Sequence, residues 1–236
     1  MSNSYFQFKQ FTIHQDRCAM KVTTDACILG AGVNVAEHEH RVLDIGAGSG
    51  LLSVMLAQRF PWVVIDAIEL DAAAADQAAE NVAASPWAKR INVMQGDIRT
   101  CSFAHRFDLI VTNPPFFNNS LLGPSSGKNM ARHTTSLSYS DLVLAMKTHL
   151  SEEGRVAILL PDDEYTQWCE VASAQGWYET SALHVCHNAE SAAKRVVGVF
   201  CRNSSAVQKS NLIIKDSSGS YTPEFTQLLA PYYLAL

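Results

Sequence analysis

Two rhythms of apolar and polar positions run along this chain and divide it into elements. From residue 41 onward, short apolar runs bounded by Gly, Asp, Asn or Pro alternate with longer stretches whose apolar residues fall three and four apart. The runs predict buried strands at 41–45, 63–69, 91–96, 107–112, 155–161, 177–186 and 195–202. The intervening stretches predict helices at 51–60, 72–84, 139–150 and 163–175. Ser138-Tyr139-Ser140-Asp141 has capping-box spacing for the third helix, and Asp71 reads as the N-cap of the Ala-rich second. Strands alternating with helices imply a mostly parallel sheet covered on both faces. The expected fold is α/β: a doubly wound, Rossmann-like, seven-stranded sheet, mostly parallel, with one antiparallel C-terminal strand where the last two strands form a hairpin.

The two ends are less regular. Phe6, Phe8, Phe11 and Ile13 alternate with polar residues and predict a short hairpin or extended cover. Residues 24 to about 35 are helix-like, with Asp25 near the start. Beyond Lys209 the pattern gives a polar turn, a short strand at 212–214 and a terminal helix at 223–229. Residues 118–137 lack periodicity and are rich in Gly, Ser and Asn; loops that long are uncommon and often functional. The whole chain, 1–236, reads as one domain with residues 1–35 as an N-terminal cover over a cofactor site.

Composition adds limits. No apolar run approaches membrane-spanning length and no signal-like segment opens the chain, so a soluble, cytoplasmic protein without a membrane partner is expected. The six cysteines form no Cys-x-x-Cys pair and read as small buried thiols in a reducing compartment. His184, Cys186 and His187 lie close together, but on a strand the first two face one side and the third the other, so no metal is expected. A net charge of −5 speaks against a general polyanion binder. Residues 186–216 nevertheless carry Lys194, Arg195, Arg202, Lys209 and Lys215 against Glu190 and Asp216, enough for a local basic patch.

Val42-Leu43-Asp44-Ile45-Gly46-Ala47-Gly48-Ser49-Gly50-Leu51 reads as strand, glycine-rich turn and helix. Glycines there let backbone pass close to a ligand above the strand ends. A dinucleotide fingerprint starting at Gly46 needs a small residue at position 51, where Leu51 stands, so NAD and FAD are disfavoured. The stretch instead resembles the Asp-x-Gly-x-Gly-x-Gly motif of class I methyltransferases. Glu69 ends the next strand, where a carboxylate can accept hydrogen bonds from ribose hydroxyls, with Leu70 beside it. Asp97 and Ile98 follow the third strand. The resemblance implies that Asp97 takes an adenine amine while a neighbouring apolar side chain lies against the ring. It also implies that Thr24 and Asp25 reach over the methionine end of S-adenosyl-L-methionine, although Asp25 fits a plain helix cap as well.

The fourth strand ends in Asn113-Pro114-Pro115-Phe116, which resembles the catalytic motif of methyltransferases acting on a planar nitrogen. Such a nitrogen is an exocyclic amine of adenine, cytosine or guanine, or a glutamine amide. Its lone pair is delocalised, so the enzyme must orient it and stabilise the charge that grows on it. Asn113 offers a side-chain carbonyl and Pro114 a main-chain carbonyl that together accept both amine hydrogens. Pro114 and Pro115 fix two successive φ angles. Phe116 can stack on a base.

Beyond these motifs, Phe8-Lys9-Gln10-Phe11, Asp16-Arg17-Cys18-Ala19-Met20-Lys21-Val22, Asn113-Pro114-Pro115-Phe116-Phe117, Ala131-Arg132-His133-Thr134-Thr135-Ser136-Leu137 and Lys194-Arg195-Val196 are similar to the bacterial tRNA1(Val) adenine-N6 methyltransferases. The similarity spans nearly the whole chain. It implies methylation of N6 of adenine 37, beside the anticodon, by an enzyme that uses S-adenosyl-L-methionine, releases S-adenosyl-L-homocysteine and holds a tRNA anticodon stem-loop; a monomer is expected. A loop base is already unpaired and is cheap to present. Phe117, Lys128, Arg132, His133, Lys194 and Arg195 are then candidate RNA contacts. Guanine-N2 methylation of ribosomal RNA, glutamine-N5 methylation of a protein and a cofactor-binding RNA chaperone without turnover are the other readings. The first two are associated with additional domains that this length leaves no room for.

Overall fold

The computed structural model describes residues 3–115 and 137–236. A two-stranded hairpin, β1 (Tyr5–Gln7) and β2 (Thr12–His14), precedes helix α1 (Thr24–Gly32). There follow β3 (Arg41–Ile45), α2 (Leu51–Arg59), β4 (Val64–Glu69), α3 (Ala72–Ala83), β5 (Ile91–Gln95) and β6 (Phe107–Thr112). After the segment that is not described come α4 (Tyr139–His149), β7 (Leu150–Pro161), α5 (Asp162–Ser173), β8 (Tyr178–Cys186), β9 (Ala193–Cys201), β10 (Gln208–Ile213) and α6 (Pro223–Leu229).

The main sheet has the order β10-β8-β9-β7-β6-β3-β4-β5. Only β9 runs antiparallel, against both β7 and β8. All seven expected strands are present. The sheet has eight strands rather than seven, because β10 joins the outer edge parallel to β8. Its first four residues, Gln208 to Asn211, are polar and exposed, so backbone pairing alone holds them and no apolar pattern marks them. At the other extreme, β6 buries Phe107, Leu109, Ile110 and Val111 completely, as a central strand covered on both faces must.

Each face has its own core. Val42, Ile65, Leu109 and Val111 pack on one side with α1, α2 and α6, while Leu43, Ile45, Ile110 and Ile158 pack on the other with α4 and α5. The capping box at Ser138 and Asp141 is formed, and Asp71 caps α3 by accepting from the Ala74 N–H at 2.9 Å. Helix α1 is capped by Thr23, so Asp25 is not its cap but a first-turn residue. The N-terminal hairpin is tied to the C-terminus: the Lys9 N–H donates to the Tyr232 carbonyl at 2.8 Å, and Phe8 packs on Phe11 and Tyr233. Among the described residues, no helix is long and apolar enough to cross a membrane.

Gly198 in β9 shows how tightly the second core is closed. A Cβ at this position would overlap the Tyr165 ring and hydroxyl of α5. Overpacking of this kind costs about 1–3 kcal/mol. Gly198→Ala is expected to lose that much stability in urea unfolding, and an unchanged midpoint would show that Tyr165 moves aside freely.

Candidate active site

Chain order reverses at β3, which has β4 on one side and β6 on the other. In doubly wound sheets ligands bind at such a switch point, beyond the carboxyl ends of the strands. Here a cavity of about 550 Å³ opens there. Its wall includes Gly46, Gly48, Glu69, Asp97 and Asn113.

The glycine turn is built from backbone. Gly46, Gly48 and Gly50 have φ of 73°, 55° and 80°, where a side chain would be strained. The N–H groups of Gly46 and Ala47 donate to the Ile68 carbonyl at 2.9 and 3.1 Å, fixing the turn to the end of β4. Open space lies where a Cβ on Gly46 or Gly48 would project, so the backbone is accessible to a ligand. Gly50 does not line the cavity; it lets α3 approach, a Cβ there standing 3.4 Å from that of Ala78.

Glu69 accepts from the Gly48 N–H at 2.8 Å and the Asp71 N–H at 2.9 Å, one on each carboxylate oxygen. Each oxygen keeps a lone pair for another donor. Asp97 is gripped by the Arg99 guanidinium, at 2.6 to 3.0 Å, which holds its carboxyl below the usual carboxylate range. Leu70 and Ile98 complete this end of the wall. Asp44 lies behind the wall, fully buried, with one oxygen accepting from the Ser53 hydroxyl at 2.7 Å and the other without a partner. Burial pushes its pKa up to about 6.

Asn113, Pro114 and Pro115 line the cavity at the end of β6. The preceding Thr112 donates its hydroxyl to the Ile45 carbonyl at 2.9 Å, locking the ends of β6 and β3 together. The Asn113 Oδ1 is buried and has no hydrogen-bond partner among the described residues.

The structure separates some of the residues grouped from the sequence. Thr24 and Asp25 open α1 and are not in the cavity wall. Asp25 instead pairs with Arg195 at 3.1 Å, so Arg195 faces α1 rather than standing free for a phosphate. Lys194 beside it is exposed. Phe116, Phe117, Lys128, Arg132 and His133 lie outside the described residues. Among the described residues there is no group of three or more His, Cys, Asp or Glu placed to hold a metal ion.

Within the expected N-terminal cover, Asp16, Arg17, Cys18, Ala19 and Met20, none of them singled out from the sequence as cofactor contacts, close the wall from the N-terminal side. The available signal lay in α3. Gln77 and Asn81 stand one turn apart inside an Ala-rich helix and are almost wholly buried, at 1% and 2% exposure, where apolar residues would ordinarily pack.

The family model for the methyltransferase small domain matches residues 26–160. A Dyadobacter fermentans protein named tRNA1(Val) (adenine(37)-N6)-methyltransferase is 44% identical over 236 residues, covering 98% of each chain. A Bacteroides thetaiotaomicron protein of the same name is 42% identical over 237 residues, covering all of both. The crystal structure of a predicted O-methyltransferase from Agrobacterium tumefaciens shares the fold, with a TM-score of 0.65 at 17% identity over 90% of this chain and 99% of that one.

Asp44 gives this site a pH signature. It binds its proton more tightly in the fold, at about 6, than at its ordinary value of 3.8. Its ionisation therefore costs stability above about pH 6, and that cost is relieved as pH falls through 6 toward 3.8. Measured by urea unfolding, wild type should gain on Asp44→Asn by roughly 1 kcal/mol between about pH 8 and about pH 5. A difference that does not change with pH would mean that Asp44 is not the titrating group.

Proposed function

The chain belongs to the tRNA1(Val) (adenine(37)-N6)-methyltransferase family, and from that premise we propose that it methylates N6 of adenine 37 in tRNA1(Val) with S-adenosyl-L-methionine. The cofactor supplies a methyl group on a positively charged sulfur, and the by-product is S-adenosyl-L-homocysteine.

The residues present suit such a cofactor. The wall holds four carboxylates, Asp16, Glu69, Asp71 and Asp97, against two arginines, Arg17 and Arg99. That balance favours a cationic ligand over a dinucleotide diphosphate. Glu69 would hold the ribose hydroxyls with its remaining lone pairs. Asp97 would accept from the adenine amine, with Leu70 and Ile98 against the ring. The exposed backbone of Gly46 and Gly48 would carry the amino-acid end. Asp44 acts through the turn and through Ser53, not by contact.

One observation carries the assignment of the reaction: the Oδ1 of Asn113, buried and without a hydrogen-bond partner among the described residues. Leaving such an acceptor unsatisfied costs about 1–3 kcal/mol, so the site calls for a donor from a ligand. An exocyclic amine has two N–H donors. Asn113 and the carbonyl of Pro114 would accept one each, aim the nitrogen lone pair and favour the positive charge that develops on it. Because Pro114 has no N–H, it presents only an acceptor to the amine. The proton leaves after the methyl has moved, so the reading assigns no task to a strong base or to a metal.

Phe116 or Phe117 stacking on the base, and Lys128, Arg132, His133 and Lys194 meeting the phosphates of the anticodon stem-loop, complete the reading. The enzyme so read is a monomer working on tRNA in the cytoplasm.

Asn113→Ala removes the acceptor and little else. It is expected to lower kcat for methyl transfer to tRNA by about 10²–10³, as for other lost transition-state contacts. Cofactor affinity measured by calorimetry should be nearly unchanged. Wild-type turnover in this variant would take Asn113 out of the reaction.

A further inference from the structure

Gln77 and Asn81 spend their described side-chain hydrogen bonds on two segments at the candidate active site, residues 14–18 and the glycine turn. The Gln77 Nε2 donates to Asp16 Oδ1 at 2.7 Å, while its Oε1 accepts from the Arg17 N–H at 2.9 Å and the Cys18 thiol at 3.3 Å. Three consecutive residues of the N-terminal wall therefore hang on one side chain. Asn81 pairs with the backbone of His14 as a neighbouring strand would, accepting from its N–H at 2.9 Å and donating to its carbonyl at 2.8 Å. The same Nδ2 also donates to the Ser49 carbonyl at 2.9 Å, inside the glycine turn.

The held segment is also closed on itself. The Val22 N–H donates to Gln15 Oε1 at 2.7 Å, and Lys21 donates to the Gln15 carbonyl, so residues 15–22 form a loop tied at its base. Gln15 is itself buried and anchored to the Ser4 carbonyl at 2.8 Å. The open side of the loop is held to α3 by Gln77 and by the Arg17 guanidinium, which pairs with the exposed Glu80. Two buried amides are a costly way to fill a helix face unless every bond is made. What they provide that alanine or leucine would not is register: one turn of α3 sets the distance between residues 16–20 and the glycine turn.

We propose that Gln77 and Asn81 are positioning residues of the methyl transfer, holding residues 16–20 and the glycine turn at the separation that grips the cofactor. This rests on the function proposed above. Neither side chain lines the cavity, so both act through the residues they hold.

The test compares wild type, Gln77→Ala, Asp16→Ala and Asp16→Asn. Asp16 is exposed, so its truncation leaves the core intact and serves if Gln77→Ala fails to fold. Loss of this contact should speed amide hydrogen exchange at Arg17 and Cys18. It should also raise the calorimetric Kd for S-adenosyl-L-methionine by about tenfold, with KM for the cofactor following and kcat at saturation largely kept. Asp16→Asn retains the accepting Oδ1 and should keep amide exchange at Arg17 as slow as in wild type, with a Kd between those of wild type and Asp16→Ala because the wall loses one carboxylate. Faster exchange at residues 16–18 with an unchanged Kd would overturn the positioning role and leave the proposed function standing. A wild-type protein that binds no S-adenosyl-L-methionine would defeat the proposed function and this inference with it.

Discussion

The site depends on β3 being paired on both sides. Its hydrogen bonds to β4 and β6 bring three carboxyl ends to one level, and short contacts above the ladder fix them: Gly46 and Ala47 to Ile68, Gly48 to Glu69, Thr112 to Ile45. The glycine turn, the Glu69 carboxylate and Asn113 are therefore placed by sheet geometry, not by loops of their own. A rigid scaffold of this kind can tolerate strained or unsatisfied groups at its rim.

Asn113 and Asp44 each carry a buried oxygen without a partner among the described residues, and the two differ in kind. Asn113 leaves an acceptor unpaired at the cavity wall, where a ligand can complete it. Asp44 leaves one unpaired behind the wall, where no ligand reaches, and its raised pKa records the cost. The first is ready for a donor from outside; the second keeps a carboxylate beneath the turn, tied to α2 through Ser53. Both costs are borne by cores that bury each face of the sheet nearly completely.

Much of this was legible in the sequence, for a physical reason. Strand ends, glycine turns and caps are local, so the positions of Gly46, Gly48, Glu69, Asp97 and Asn113 at strand ends, the Asp71 cap and the Ser138–Asp141 box could be read from spacing, while the site roles of those residues lean on the family resemblance. What escaped is non-local. Asp25 and Arg195 lie 170 residues apart and were assigned separately to cofactor and RNA, whereas they hold each other. The anchoring of residues 16–18 escaped too, because it runs through a buried amide on α3 that reads as part of an Ala-rich helix. Residues 208–211 form an edge strand with no apolar signature. The identity of the methylated base is not written in the Asn-Pro-Pro geometry, which suits any planar amine; it comes from the family.

That last step is therefore the place to press. Purified protein is incubated with methyl-labelled S-adenosyl-L-methionine and tRNA from cells lacking its gene, and the tRNA is then digested and its nucleosides identified. The account predicts label in N6-methyladenosine, mapped to the position beside the anticodon of tRNA1(Val). Label in N2-methylguanosine, label only in protein, or no incorporation at all would contradict it.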